Sequence, residues 1–389
     1  MFSNTRLAQL LSSFPSGLFQ KEVQSCSADK YAKRSTSRDV LVTLVLGHLQ
    51  QASSLRSLAT MSQAIDPHEY HLNSRSMPRS TFSDALEKRN PRPFQKACDH
   101  LLNCASGQQG RIAKRMVSLI DSTSITLRGP GFDEWTTPTK TRITQGLKVH
   151  TGFDPIQGAP TYISITAANV NDLTDALKMS IQPGMTYVFD KGYCDYNWWY
   201  QLHEANAFFV TRLKKNANVK SSHEHSHPSP ESPVLMDEIV EFGKQHGNEK
   251  RRNAYYRTAV RRVTVKFESQ EKPLILVTND LTSSAEEIGA LYKQRWQIEL
   301  FFKWIKQHLK LKRFYAFSEN AVLLQLYSAV ITYLLLHLFH RRSACSGTLF
   351  DLTLQLTCVL FERPLAQEHH ARRRRETEKL KAAQGSLQL

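Results

Sequence analysis

Cysteine is sparse and scattered in this chain of 389 residues. Cys26, Cys98, Cys104, Cys194, Cys345 and Cys358 form no Cys-x-x-Cys pair and have no histidine at a zinc-ligand spacing. A disulfide framework or zinc module is thereby excluded, and reduced, mostly buried thiols are expected. Tryptophan is missing from Tyr200 to Arg295. Acidic side chains are in deficit, 35 against 51 Lys and Arg, which leaves a net charge of +16 and a pI near 9.6. Such an excess suits a protein that covers phosphates, although it does not separate DNA from RNA or from an anionic membrane surface. No apolar core of the secretory kind stands near the N-terminus. One uncharged stretch, Ala321–Phe339, approaches membrane-spanning length, but Gln325, Ser328, Thr332 and two tyrosines interrupt it. A buried helix is expected there, with no membrane partner and a cytoplasmic location.

What is present is a stripe. In Tyr292-Lys-Gln-Arg295-Trp-Gln-Ile-Glu299-Leu-Phe-Phe-Lys303-Trp-Ile-Lys306, a helical step of about 100° per residue sets Tyr292, Arg295, Glu299, Lys303 and Lys306 within about 80° of one another. Leu291, Ile298, Phe301, Phe302, Ile305 and Leu309 fall in an arc from roughly 180° to 280° on the same wheel, wide enough to pack on a sheet. Trp304 lies off the stripe and is read as core, while the wheel leaves Trp296 unassigned. A charged stripe alone is most often a solvated face; two aspartates upstream change the weighing.

Met116–Ile120 is a short apolar run that ends at Asp121 and is followed by Ser122-Thr123-Ser124, the pattern of a buried strand delivering a carboxylate at its end. Thr186–Phe189 does the same for Asp190, with Lys191-Gly192-Tyr193 as the turn beyond it. Between them lie strand-like segments Leu147–Gly152 and Thr161–Ala167 and a helix-like stretch Asp172–Met179. Two sheet-borne acids and Glu299 on a helix make a three-carboxylate set of the kind that holds two Mg²⁺ ions about 4 Å apart for in-line phosphoryl displacement. Oxygen-only ligands favour Mg²⁺, with Mn²⁺ as a substitute, over zinc. Asp154, Asp195 and Glu287 are the next carboxylates to weigh, none in an equal context.

These motifs resemble those of bacterial insertion-sequence transposases of the DDE superfamily, in the branch with a Tyr-Arg-Glu-Lys signature (the insertion sequence four family). The signature is matched by Tyr292, Arg295, Glu299 and Lys306 at steps of three, four and seven residues. Asp121 in Ile-Asp-Ser-Thr and Asp190 in Phe-Asp-Lys-Gly-Tyr fit the first two acidic motifs, and Phe209–Arg212 is similar to the basic strand that follows the second. The resemblance runs at least from Arg115 to Arg313. It implies an α/β, RNase H-like catalytic core, a mixed sheet flanked by helices, with a β-rich insertion and a helical N-terminal domain. It also implies that Asp121, Asp190 and Glu299 bind the divalent metal and that Tyr292, Arg295 and Lys306 contact transposon-end phosphates. Lys303, Arg212 and Lys191 are read as further DNA contacts. The implied activity is cut-and-paste transposition on double-stranded DNA, at terminal inverted repeats and a target, by a homodimer holding paired ends. A structure-selective nuclease or a catalytically silent DNA-binding regulator are the alternatives.

The expected organisation is a helical DNA-binding domain over residues 1–110, the first part of the core over 111–198, the insertion over 199–285, the second part of the core with the glutamate helix over 286–345, and a basic helical tail over 346–389. Ser37 is read as the cap of a helix through Val40–Leu46, Ser53–Met61 as a further helical stretch, and Ser74–Phe82 as a basic loop feeding Asp84–Lys88. Lys33, Arg34, Arg38, Arg75, Arg79, Lys88 and Arg89 flank these helices. From Asp190 to Glu299 there are 299 − 190 = 109 positions, too many for a loop, with strands expected at Ala207–Leu213, Ala254–Phe267 and Pro273–Thr278. His223, His225 and His227 sit in a Pro- and Ser-rich stretch read as an exposed loop rather than a metal site. Hairpin-forming relatives carry a stacking Trp in the insertion; here Phe267, Tyr255 or Tyr256 is the expected substitute, so a hairpin intermediate is less firmly implied than the strand chemistry. Arg372–Arg375 and the segment 376–381 read as a charged helix or tail, either on DNA backbone or solvated.

Overall fold

The computed structural model describes residues 5–33, 35–106, 116–136, 145–214, 217, 219–229, 231–242, 256, 258–268, 271–308, 314–343 and 347–363. Arg34, Tyr255, Leu309, Cys345, Arg372–Arg375 and segment 376–381 lie outside them. The chain divides into two compact units, Met1–Leu101 with His308–Leu389, and Leu102–Gln307.

The first unit is helical and draws on both ends of the chain. Helix Ser37–Leu49 opens with a reciprocal cap: the Thr36 hydroxyl accepts from the Asp39 N–H at 3.3 Å, and the Asp39 carboxylate accepts from the Thr36 N–H at 2.7 Å. The cap is therefore Thr36, one residue before the expected Ser37, because Asp39 stands at the third position that closes the box. Ser37 instead donates its hydroxyl to Asp29 at 2.7 Å. Val40, Leu41, Val42, Leu44, Val45 and Leu46 are all fully buried, so this helix is apolar around its whole circumference and must be enclosed. Helices Leu55–Ser62 and Arg79–Lys88 follow in sequence.

Helix Glu319–Arg342 is long and apolar enough to cross a membrane, and 89% of its most apolar window is buried inside the protein. It packs on helices Ser37–Leu49, Arg79–Lys88, Leu349–Cys358 and Arg6–Leu11. Its polar residues are bonded within the unit. Gln325 Oε1 accepts from the Tyr315 N–H at 3.1 Å, Ser328 Oγ lies 2.9 Å from His48 Nε2, and the Thr332 hydroxyl donates to the Ser328 carbonyl at 2.7 Å. Buried polar groups must find partners or destabilise the core, and these three do, whereas the Nε2 of buried His337 on the same helix has no hydrogen-bond partner.

The second unit is built on one sheet. Its strands are β1 (Met116–Thr126), β2 (Gly146–Asp154), β3 (Ala159–Ala167), β4 (Met185–Phe189), β5 (Phe208–Arg212), β6 (Val219–Glu224), β7 (Val234–Phe242), β8 (Val260–Val265) and β9 (Leu274–Thr278), in the order β3-β2-β1-β4-β5-β9-β8-β7-β6. The first three form an antiparallel meander, and β4 and β5 run parallel to β1. That half is an RNase H-like arrangement. Past β5 all pairings are antiparallel, so the β-rich stretch continues the same sheet. Gly146 at the start of β2 has φ +141°, and a Cβ there would come within 2.0 Å of the Ile125 carbonyl oxygen; only glycine allows this approach of β2 to β1.

Between β4 and β5, helix Tyr196–Glu204 is capped by Asp195, whose carboxylate accepts from the Asn197 and Trp198 N–H groups at 3.1 Å each. Trp198 and Trp199 then pack against Phe189 and Phe209, at centroid distances of 4.8 and 5.1 Å, and tie this crossover to the two strands it joins. Further along, Asp237 on β7 accepts twice from Arg261 on β8, at 2.7 and 2.8 Å, with side-chain exposures of 0% and 2%.

Candidate active site

β1 and β4 are parallel neighbours with Ile120 opposite Phe189, so Asp121 and Asp190 follow at the same level of adjacent strands. Asp121 is inside its strand and not at its end, as the sequence had implied: pairing with β4 stops at Ile120, but pairing with β2 carries β1 on to Thr126. The predicted continuous helix is likewise two, Ala285–Gln294 and Trp296–His308, with Arg295 at the joint. There the Arg295 N–H donates to the Tyr292 carbonyl, and the Arg295 carbonyl accepts from the Ile298 N–H, three residues apart in each case. The apolar arc is seated as its periodicity requires: Leu291, Ile298, Phe301, Phe302 and Ile305 are buried, and the Phe301 ring packs at a tilt on Phe153 of β2, with centroids 5.5 Å apart.

Glu299 stands in the first turn of the second of these helices. Arg295 joins it to β1: Nη2 is 2.6 Å from Glu299 Oε1 and Nη1 is 3.4 Å from Asp121 Oδ2. Arg212, at the end of β5, brings Nη1 to 3.9 Å from Asp190 Oδ1. Lys306 donates from Nζ to Thr123 Oγ1, two residues beyond Asp121. Tyr292 is 5% exposed, its ring 5.7 Å below the Arg295 guanidinium and its buried hydroxyl without a hydrogen-bond partner. Lys303 and Lys191 are exposed. The five stripe residues thus differ in setting: one is enclosed, two bond to the sheet strand and its acid, one is the acid itself, and one faces outward.

Burial pushes the Asp121 carboxyl up to about 6; the Ser122 N–H and Arg295 oppose this, and Glu299 and Asp190 add to it. Clustered carboxylates that burden one another in this way favour a cation among them. Among the described residues no group of three His, Cys, Asp or Glu side chains is closed around a metal position. Arg295 instead supplies the positive charge between Asp121 and Glu299. The donor chemistry still suits a hard divalent ion: all three groups are carboxylates, and Asp190 Oδ1 is buried without a hydrogen-bond partner.

The reserve carboxylates have structural work. Asp154 accepts from the Ile156 and Gln157 N–H groups in the β2–β3 turn, Asp195 caps a helix, and Glu287 closes a capping box with Ser284. Of the aromatic side chains expected to stack on DNA, Tyr256 is 7% exposed and packs edge-on against Phe209 and Phe242, so it belongs to the core; Phe267 is half-buried, with Lys293 Nζ 5.9 Å from its ring. Trp296, next to Arg295, is 59% exposed, and Leu300 one turn on is 49% exposed. No periodicity could have found this, because Trp296 lies between the stripe and the apolar arc. His227 meets Glu224 at 2.6 Å on the surface, and the three-histidine stretch assembles no metal cluster among the described residues.

Residues 112–335 match the transposase DDE domain family, and residues 3–72 match a domain of unknown function, DUF4372. A Sinorhizobium fredii protein named as a transposase, y4zB, is 38% identical over 284 residues, covering 72% of this chain and 77% of the relative. A protein of Geobacillus stearothermophilus, named for transposition of element IS5377, is 27% identical over 274 residues, 67% of each chain. One of Synechocystis, named for element IS4SA, is 27% identical over 350 residues, covering 86% of this chain and 91% of its own. A solved piggyBac transposase synaptic complex with hairpin DNA aligns over 91% of this chain and 79% of its own at a TM-score of 0.49 and 10% identity, too distant to bear on function. With a family match over more than half its length and a relative 38% identical over most of it, the chain belongs to the DDE transposases, enzymes that work with divalent metal ions.

Proposed function

We propose that this enzyme moves an insertion sequence by cut and paste: it binds terminal inverted repeats, hydrolyses the phosphodiester at the element's end and joins the freed 3′-hydroxyl to target DNA. The observation that carries the reading is the placement of Asp121 and Asp190, each one residue past the last paired positions of neighbouring parallel strands, with Glu299 tied to Asp121 through Arg295. Asp121, Asp190 and Glu299 would hold Mg²⁺, for which Mn²⁺ can substitute. When bound, the ions supply charge neutralisation at the attacking and leaving oxygens.

The chain's own residues do the rest. Arg295 has a planar fork suited to a non-bridging phosphate edge and would exchange its carboxylates for that phosphate as DNA enters. Lys306, on the helix that carries Glu299, and Arg212, at the end of β5, add further positive charge. The buried Tyr292 hydroxyl, still without a partner, is a donor held for a phosphate oxygen. Lys303 and Lys191 extend the basic surface outward, and exposed Trp296 offers a ring to an unstacked base, the role that a hairpin step would need. The helical unit, with its DUF4372 segment, is assigned to recognition of the repeats. Joining two ends calls for a dimer, acting on the nucleoid in the cytoplasm.

The test is to replace Asp121 by Asn or Glu299 by Gln and assay end cleavage in Mg²⁺. Loss of at least a hundredfold is expected; activity within about tenfold of the parent rejects the assignment. Precut ends supplied with a plasmid target separate a transposase, which joins them, from a nuclease, which does not.

A further inference from the structure

Asp121, Ser122 and Thr123 alternate across β1, and each is held from its own side of the sheet. Asp121 and Thr123 face the glutamate helix, where Arg295 and Lys306 reach them. Ser122 pairs across the sheet with His150 of β2, and Ser124 with Lys148, so these four side chains share the opposite face. On that face the Ser122 hydroxyl donates to Asp172 Oδ1 at 2.6 Å. Asp172, in the first turn of helix Asp172–Ala176, is fixed in turn: Lys148 Nζ is 3.1 Å from Oδ1 and also donates to the Val170 carbonyl at 2.8 Å, while His150 Nδ1 lies 3.7 Å from the same oxygen. His150 is anchored at its other nitrogen, Nε2, 2.8 Å from Thr166 Oγ1. Next to Asp172, Asp175 is bound by the Tyr162 and Ser164 hydroxyls at 3.0 and 2.7 Å.

The link to the site is one covalent step long. The backbone N–H of Ser122 donates to Asp121 Oδ1 at 2.8 Å, so a tie that steadies Ser122 also helps to hold the orientation of the Asp121 carboxylate, whose other oxygen meets Arg295. We propose that Asp172 is a positioning residue for Asp121: by holding the Ser122 hydroxyl from the face of the sheet away from the glutamate helix, it sets the rotamer in which Asp121 presents its other oxygen, Oδ2, the one Arg295 now reaches, to a divalent cation. The proposal rests on the reading of Asp121 as an ion-holding acid. It gives work to a carboxylate that no motif singles out and that touches no reacting group. An acid mid-strand, with polar side chains on both faces, needs such a tie, because a carboxylate free to rotate about its side-chain bonds would lose affinity for an ion needing a fixed geometry.

The experiment is calorimetric titration of Mn²⁺ into the DNA-free protein, with thermal unfolding followed in parallel. Asp172→Ala and Ser122→Ala are each expected to weaken Mn²⁺ binding about tenfold, and the double variant to be no weaker than the worse single one, since both cut the same tie. Asp172→Asn, whose amide oxygen still accepts from Ser122, is expected to stay within about threefold of the parent. A folded Asp172→Ala variant with parental Mn²⁺ affinity overturns the proposal, as does equal loss in Asp172→Asn, which would assign the effect to charge. Should Asp172→Ala fail to fold, Ser122→Ala, which deletes one oxygen, decides by the same criterion. Asp121→Asn is the control on the underlying reading. If it leaves Mn²⁺ binding intact, the ion-holding role of Asp121 fails, and the tie is then judged by hydrogen exchange of the Ser122 amide, which should quicken in Asp172→Ala; unchanged exchange overturns it.

Discussion

Arg295 lies one helical turn before Glu299 and holds it at 2.6 Å, while the same guanidinium reaches Asp121 at 3.4 Å. One cation thus neutralises two acids from separate elements. Replacing Arg295 by Gln should strengthen Mn²⁺ binding to the DNA-free protein, by about threefold to tenfold, because a competing positive charge leaves the carboxylates. The same variant should lose a hundredfold or more in end cleavage, because its phosphate clamp is gone. Calorimetry and a cleavage assay on one preparation check both halves; weaker Mn²⁺ binding would show that Arg295 supports the acids and does not compete for them.

The raised pKa of Asp121 has a signature in stability. Its carboxyl titrates near 6 when folded against 3.8 as the reference, so between about pH 4 and pH 6 the folded chain holds the proton that the unfolded chain has released. Stability of the metal-free protein therefore falls as pH rises through this window, by about 3 kcal/mol in full, and the cost persists above it. Asp121→Asn should remove the slope. Urea midpoints from pH 4 to 7 in EDTA measure it, and an unchanged slope in the variant would trace it to another group.

Trp296 is exposed, so truncation should hardly touch the fold. Trp296→Ala is expected to unfold within about 0.5 kcal/mol of the parent. Its binding to an end duplex should weaken by about tenfold, the scale of one base–aromatic contact of about 1–3 kcal/mol. Anisotropy titrations with end DNA test this; parental affinity would leave Trp296 no part in recognition.

The buried pair of Arg261 and Asp237 makes a sharper stability prediction. Arg261→Met strands a carboxylate with 0% side-chain exposure and should cost about 3–5 kcal/mol, whereas adding Asp237→Leu should recover most of that loss. Urea unfolding of the two variants decides it.

Much of the site was legible in the sequence because it depends on local periodicity. The apolar arc from Leu291 to Ile305 dictates which side of its helices is buried, and the runs before Asp121 and Asp190 define strands that bring acids to one level. Sequence could not show the break at Arg295, since the residue keeps helical dihedrals and the wheel passes through it nearly unchanged. Nor could it show that β1 continues past Asp121, which follows from pairing with β2, a long-range contact. Ser37 lost its capping role to Thr36 because Asp39 lies three residues after Thr36, a cue present in the chain but masked by the more obvious serine. Tyr256 looked available for stacking by composition alone; its burial against Phe209 and Phe242 is tertiary. Asp172 carries no motif at all, and only the strand register brings Ser122 and Lys148 to its face.

Helix Glu319–Arg342 threads its apolar length among helices whose residues precede it by more than two hundred positions, with Ser328 meeting His48. During synthesis those early helices cannot complete their core until the ribosome has passed the whole sheet unit and released this late segment. A truncated translation product would therefore leave the proposed repeat-reading unit unassembled, and could not occupy an element's ends in place of the full enzyme.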